Sequence, residues 1–140
     1  MTTDDERREQ GMRVRREVLG DEHVDRAIAG TTPDTADFQE YVTRVAWGDI
    51  WSRPGLDRRA RSIVTLTALM TAGSWEEVPM HLRAALRNGL TREELREIIL
   101  QVGLYRGVPV ANHGFSVLTE TLGEAPDSPG DDSGGPKDAG

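Results

Sequence analysis

At 140 residues and with no cysteine, the chain has room for one domain with its own core, and disulfides, thiol catalysis and thiolate metal sites are excluded. The net charge of −7 argues against nucleic acid as a partner, because such binders present a basic surface. No apolar run reaches membrane-spanning length and the N-terminal stretch lacks a signal-peptide core, so no membrane partner and a cytoplasmic location are expected.

Apolar residues recur at helical spacing with no sustained alternation, which predicts an all-α, compact multi-helix domain over residues 1–124. The first helix is expected from Asp4 to Leu19, stopped by Gly20. Only Met12, Val14, Val18 and Leu19 are apolar in it, so it should pack loosely or against another subunit, and most of Arg7, Arg8, Arg13, Arg15 and Arg16 read as its solvated face. A short helix follows from Asp21 to Ala29. A third runs from Thr35 to Trp51, with Phe38, Tyr41, Val42, Val45 and Trp47 at helical spacing, and Pro54-Gly55 ends it.

Asp57 is the expected N-cap of the next helix, which reaches Ala72 and reads as the buried centre through Ile63, Val64, Leu66, Leu69 and Met70. Ser74 and Glu77 have capping-box spacing for a helix ending at Asn88-Gly89. Thr91 and Glu94 repeat the device before an amphipathic helix. The last helix starts near Pro109 and ends at Leu122-Gly123. From Ala125 onward the composition is Pro, Gly, Ser and Asp, which predicts a disordered acidic tail over residues 125–140.

The stretch from Trp47 to Arg61 concentrates unusual chemistry. Trp47 and Trp51 lie four residues apart, on one face of a helix, and Arg53, Arg58, Arg59 and Arg61 follow. Such a pairing is either a pocket wall for a flat anionic ligand or a core anchor followed by a solvated charge run. Arginine binds carboxylates bidentately, which suits a small di- or tri-acid. His81 lies one turn beyond Glu77, whose carboxylate could orient the imidazole or raise its pKa. Alternatively, Glu77 is only part of a cap and His81 a partly exposed helix residue. His23 sits in a polar stretch that reads as surface. His113 follows Asn112 early in the last helix, where Asn112 either donates to a ligand or caps locally. No metal is expected, since the histidines lack ligand spacing.

Taken together, these stretches resemble the γ-carboxymuconolactone decarboxylase family. The resemblance rests on Gly11 to Arg26, Trp47 to Arg61, the run His81-Leu82-Arg83-Ala84-Ala85 continuing to Thr91, and Gln101 to Asn112. It spans about Asp4 to Glu124. The His-Leu-Arg-Ala-Ala stretch alone would indicate only the wider alkylhydroperoxidase D-like superfamily. Peroxidases of that superfamily carry Cys-x-x-Cys and a histidine four residues later. Ser74, Glu77 and His81 stand at those positions here, so the thiols are gone and the histidine is kept. The chain departs from the family pattern at Asn112-His113-Gly114-Phe115-Ser116, where a serine after the asparagine and a histidine after the phenylalanine are expected. This leaves the roles of Asn112 and His113 open.

The resemblance implies cofactor-free decarboxylation of 4-carboxymuconolactone to β-ketoadipate enol-lactone, in protocatechuate breakdown. It assigns His81 and Glu77 to catalysis, and Trp47, Trp51, Arg53, Arg58, Arg61 and Asn112 to binding of an anionic lactone. It also implies a homo-oligomer, trimer or hexamer. The alternatives are a decarboxylase or isomerase of another carboxylated butenolide, and a non-catalytic acid-binding or scaffold protein.

Overall fold

A computed structural model describes residues 2–125; from residue 126 the expected acidic tail lies outside the described residues. Seven α-helices follow in chain order: α1 (Asp4–Leu19), α2 (Asp21–Ala29), α3 (Ala36–Val42), α4 (Arg58–Ala72), α5 (Val78–Arg87), α6 (Arg92–Arg106) and α7 (Val108–Leu122). Among the described residues there is no strand, and no helix is long and apolar enough to cross a membrane. The all-α expectation holds.

Two buried clusters organise the fold. In the larger, Leu66 and Met70 of α4, Leu82 of α5, Leu95 and Ile99 of α6 and Val117 of α7 interdigitate. In the smaller, Val14 and Val18 of α1 pack with Val24, Trp47 and Ala84. Two residues expected in the centre of α4, Ile63 and Val64, are exposed instead, as are Phe38 and Tyr41 of α3.

The first helix is not loosely packed. A capping box between Thr3 and Glu6 opens it, and Arg7 grips Asp49 through two hydrogen bonds of 2.9 and 2.5 Å. Its buried face of Gly11, Val14, Arg15, Val18 and Leu19 lies on the segment after α3. That segment, Thr43–Ile50, is a π-helix rather than the continuing α-helix expected to Trp51. Its widened turn is closed by Trp51 N–H donating to the Ala46 carbonyl at 2.9 Å. Such turns are often found at functional sites.

The capping box expected at Ser74 does not form. Gly73 is left-handed (φ 74°) and ends α4, while Ser74 N–H donates back to the Leu69 carbonyl at 2.9 Å. That closure fixes the Ser74 backbone at ψ 58° with no side-chain cap. A single 3₁₀ turn, Trp75–Glu77, intervenes, and α5 starts at Val78 with Pro79 in its first turn.

The box at Thr91 and Glu94 does form, with bonds of 3.1 and 3.0 Å. Glu94 is held down to about 2, first by its hydrogen bonds with Arg59 and then by the Thr91 backbone. Thr91→Ala removes the N-cap bond to the Glu94 N–H and should lower stability by about 1 kcal/mol, read as a reduced denaturation midpoint with an unchanged denaturant slope.

Candidate active site

A cavity of about 490 Å³ opens between α1, α2, α3, the π-helical segment, α4 and α5. Its polar lining comprises Arg15, His23, Gln39, Thr65, Glu77 and His81, and its aromatic wall is Trp47 and Trp51. The two indoles lie 5.2 Å apart between centroids, tilted by 33°. Trp51 in turn stacks on the His81 imidazole at 6.4 Å and 18°. Trp47 is both wall and core anchor, being buried against α1.

His81 is only 9% exposed, and its Nδ1 is buried with no hydrogen-bond partner. Burial, and secondarily the charge of His23, push its pKa down to about 4. The imidazole is therefore neutral at neutral pH. No hydrogen bond joins it to Glu77, contrary to the expected orienting contact. The 3₁₀ turn that replaces the Ser74 cap carries Glu77 on the exposed rim of the cavity. There its charge faces His23, opposing the downward shift that burial and then Arg15 impose on that imidazole.

The His81 shift has a stability consequence with a definite sign. Above pH 6.5 the imidazole is neutral in both folded and unfolded chains. Between 6.5 and about 4 only the unfolded chain takes up the proton, so stability falls with pH across that window, by up to about 3 kcal/mol. Thermal melts from pH 7.5 to 4 should show this slope in the wild type and a flatter one in His81→Gln.

The expected arginines are elsewhere. Arg53 and Arg58 line a separate cleft of about 470 Å³ that shares only Trp51 with the cavity. Arg58 is paired with Glu17 at 2.5 Å. Arg61 donates to the Arg53 carbonyl at 3.0 Å and lines a third hollow, beside Trp51 and Thr65. Arg59 binds Glu94 and the Gly89 carbonyl, tying α4 to α6. Asn112 is exposed on α7 and lines none of these cavities, while His113 stacks on Trp75 at 4.0 Å.

Arg15 and His23, which read as surface residues in the sequence, and Gln39, which carries no signal there, line the cavity instead. The signal for Arg15 was present: with Gly11, Val18 and Leu19 it shares the one apolar stripe of α1. A solvated arginine belongs on the opposite face. Among the described residues no cluster of His, Asp and Glu is arranged to hold a metal ion.

The sequence matches the carboxymuconolactone decarboxylase family over residues 36–120, the span that carries the π-helical segment, both indoles and His81. The chain belongs to the carboxymuconolactone decarboxylase family. Within this family it is 45% identical over 127 residues to 4-carboxymuconolactone decarboxylase of Acinetobacter baylyi, covering 89% of this chain and 95% of that one. It is 40% identical over 119 residues to nitrosuccinic acid decarboxylase of Metarhizium robertsii, covering 85% and 83%. A 4-carboxymuconolactone decarboxylase sequence of Pseudomonas putida is 50% identical over 44 residues, 31% of this chain and 92% of that one. The chain carries His81 in the cavity and has no cysteine.

Proposed function

We propose that the protein is a carboxy-lyase that converts 4-carboxymuconolactone to β-ketoadipate enol-lactone without a cofactor, as a step in protocatechuate breakdown. The observation that carries this reading is the neutral, buried His81 stacked on Trp51 inside a cavity of small-molecule size. In the substrate, one ring carbon bears a carboxylate and an acetate arm. Breaking the bond to the carboxylate releases CO₂ and leaves the electron pair on that carbon. The ring double bond conjugates it into the lactone carbonyl, giving a dienolate. A proton then adds to the carbon next to that carbonyl. The substrate is its own electron sink.

His81 is proposed as donor to the developing oxyanion and as the route of the proton. A neutral imidazole donates one N–H, and an anion entering the cavity raises its proton affinity. Trp47 and Trp51 exclude water around the ring, which strengthens the charge interactions there. Glu77 acts from the rim, where its charge faces His23.

A second reading is favoured by the Metarhizium relative, whose named substrate is a different acid. Nitrosuccinate also carries its own electron sink, since loss of CO₂ beside the nitro group leaves a nitronate. Purified protein incubated separately with each acid, with CO₂ release followed without added metal or cofactor, decides between them. Release from the lactone alone supports the first reading. Release from neither, with measurable lactone binding, supports an acid-binding protein and ends both.

The exposed apolar side chains Leu100, Leu104 and Tyr105 of α6 and Val108 beside them support assembly of copies of this chain through that face. Light scattering should give a trimer or hexamer mass, and Leu104→Glu should lower it.

A further inference from the structure

Resting on the decarboxylase reading, we propose that Arg15 is the receptor for a substrate carboxylate, and that the carboxylate it holds is the one the product keeps. Arg15 is 7% exposed and lines the cavity from α1. Among the described residues its only acceptors are neutral oxygens, Gln39 Oε1 at 3.0 Å and Thr43 Oγ1 at 3.4 Å. Its Nε is buried with no partner. Arg7, Arg8 and Arg16 of the same helix each hold an aspartate or glutamate, whereas no ion pair among the described residues involves Arg15.

A guanidinium cannot shed its proton at neutral pH, so Arg15 is a buried cation without a counterion. That arrangement is costly unless a ligand supplies the anion. A carboxylate in the cavity matches the guanidinium's outer Nη–H groups, each of which bonds only a neutral oxygen and keeps a second hydrogen to donate.

Two carboxylates compete for this position, and the chemistry separates them. The leaving carboxylate loses its charge as CO₂ forms, so a guanidinium clamped on it would stabilise the ground state more than the transition state. The acetate arm keeps its charge throughout. A clamp on that arm seats the ring against the indoles without opposing bond cleavage, and its energy appears as binding rather than turnover.

The test compares wild type, Arg15→Met and Arg15→Lys in calorimetric titrations with two probes. One is the butenolide acetate that lacks the ring carboxylate, and the other is the butenolide ring carboxylate that lacks the acetate arm. Arg15→Met should weaken the acetate probe roughly 10- to 100-fold and leave the ring-carboxylate probe within about threefold. KM for the full lactone should rise by the acetate-probe factor with kcat nearly unchanged. Arg15→Lys should recover part of the loss. Without ligand, Arg15→Met should melt no lower than wild type, because it removes a buried charge that nothing pairs.

Unchanged binding of the acetate probe by Arg15→Met, or failure of wild type to bind it, overturns the assignment. So does a loss confined to the ring-carboxylate probe, or a lower melting temperature with probe binding intact. Wild type that binds the acetate probe through Arg15 but releases no CO₂ from the full lactone would leave this assignment standing and refute the decarboxylase reading.

Discussion

His81→Ala should reduce decarboxylation turnover by about 10²-fold or more, with KM changed far less. The charge that builds on the lactone oxygen exists only after the carbon–carbon bond begins to break. A donor aimed at it therefore lowers the barrier without tightening the ground-state complex. The cavity raises the effect, since His81 is buried and stacked on Trp51 where water cannot take over the donation. His81→Gln keeps an N–H donor near the same place and should retain more activity than alanine. Steady-state kinetics on the three proteins check this, with circular dichroism confirming the helices. Turnover by His81→Ala within a fewfold of wild type would remove His81 from the chemistry.

The largest effect on the fold is expected from Gly11→Ala. A Cβ built at Gly11 would sit 1.9 Å from the Thr43 carbonyl oxygen and 3.0 Å from the Gly48 nitrogen. One at Gly48 would sit 2.6 Å from the Arg7 carbonyl oxygen. The two backbones touch where α1 crosses the π-helix, and neither neighbour is a side chain that can rotate away. The methyl can be accommodated only by moving α1, at a cost of about 3 kcal/mol or more. Thermal denaturation should show a drop of roughly 10 °C. Gly55→Ala, where nothing lies within 4 Å, is the matched control and should be close to neutral. Because α1 carries Arg15 and the π-helix carries Trp47 and ends at Trp51, Gly11→Ala should also weaken lactone binding. A Gly11→Ala protein with wild-type stability would mean that the crossing is not the tight contact described.

Much of the helix pattern was legible because local chemistry decides it. Gly20 stops α1, Asp57 caps α4 through a 2.8 Å bond to the Ala60 N–H, and Thr91 with Glu94 opens α6. Ser74 misled because the same residues also close the preceding helix. The left-handed Gly73 commits the Ser74 N–H to Leu69, and a capping residue cannot take both backbone conformations. The π-helical turn was not legible either. Nothing in Thr43–Ile50 forbids an α-helix, and the widened turn appears where the segment meets α1 through Gly11 and Gly48.

The candidate site divides along the same line. By itself the sequence determined the all-α class, the family resemblance, the absence of thiols and the candidacy of His81, Trp47 and Trp51, because these depend on residue identity and short-range spacing. Only the tertiary structure decided which cation faces them. Arg53, Arg58 and Arg61 are near the tryptophans along the chain, yet the loop at Pro54-Gly55 turns them into neighbouring hollows where Glu17 engages Arg58 and the Arg53 carbonyl engages Arg61. Arg15 lies more than two dozen residues from either tryptophan in sequence. Packing of α1 onto the π-helix brings it to the cavity and strips it of water, and burial without a counterion is what turns an ordinary arginine into an anion receptor.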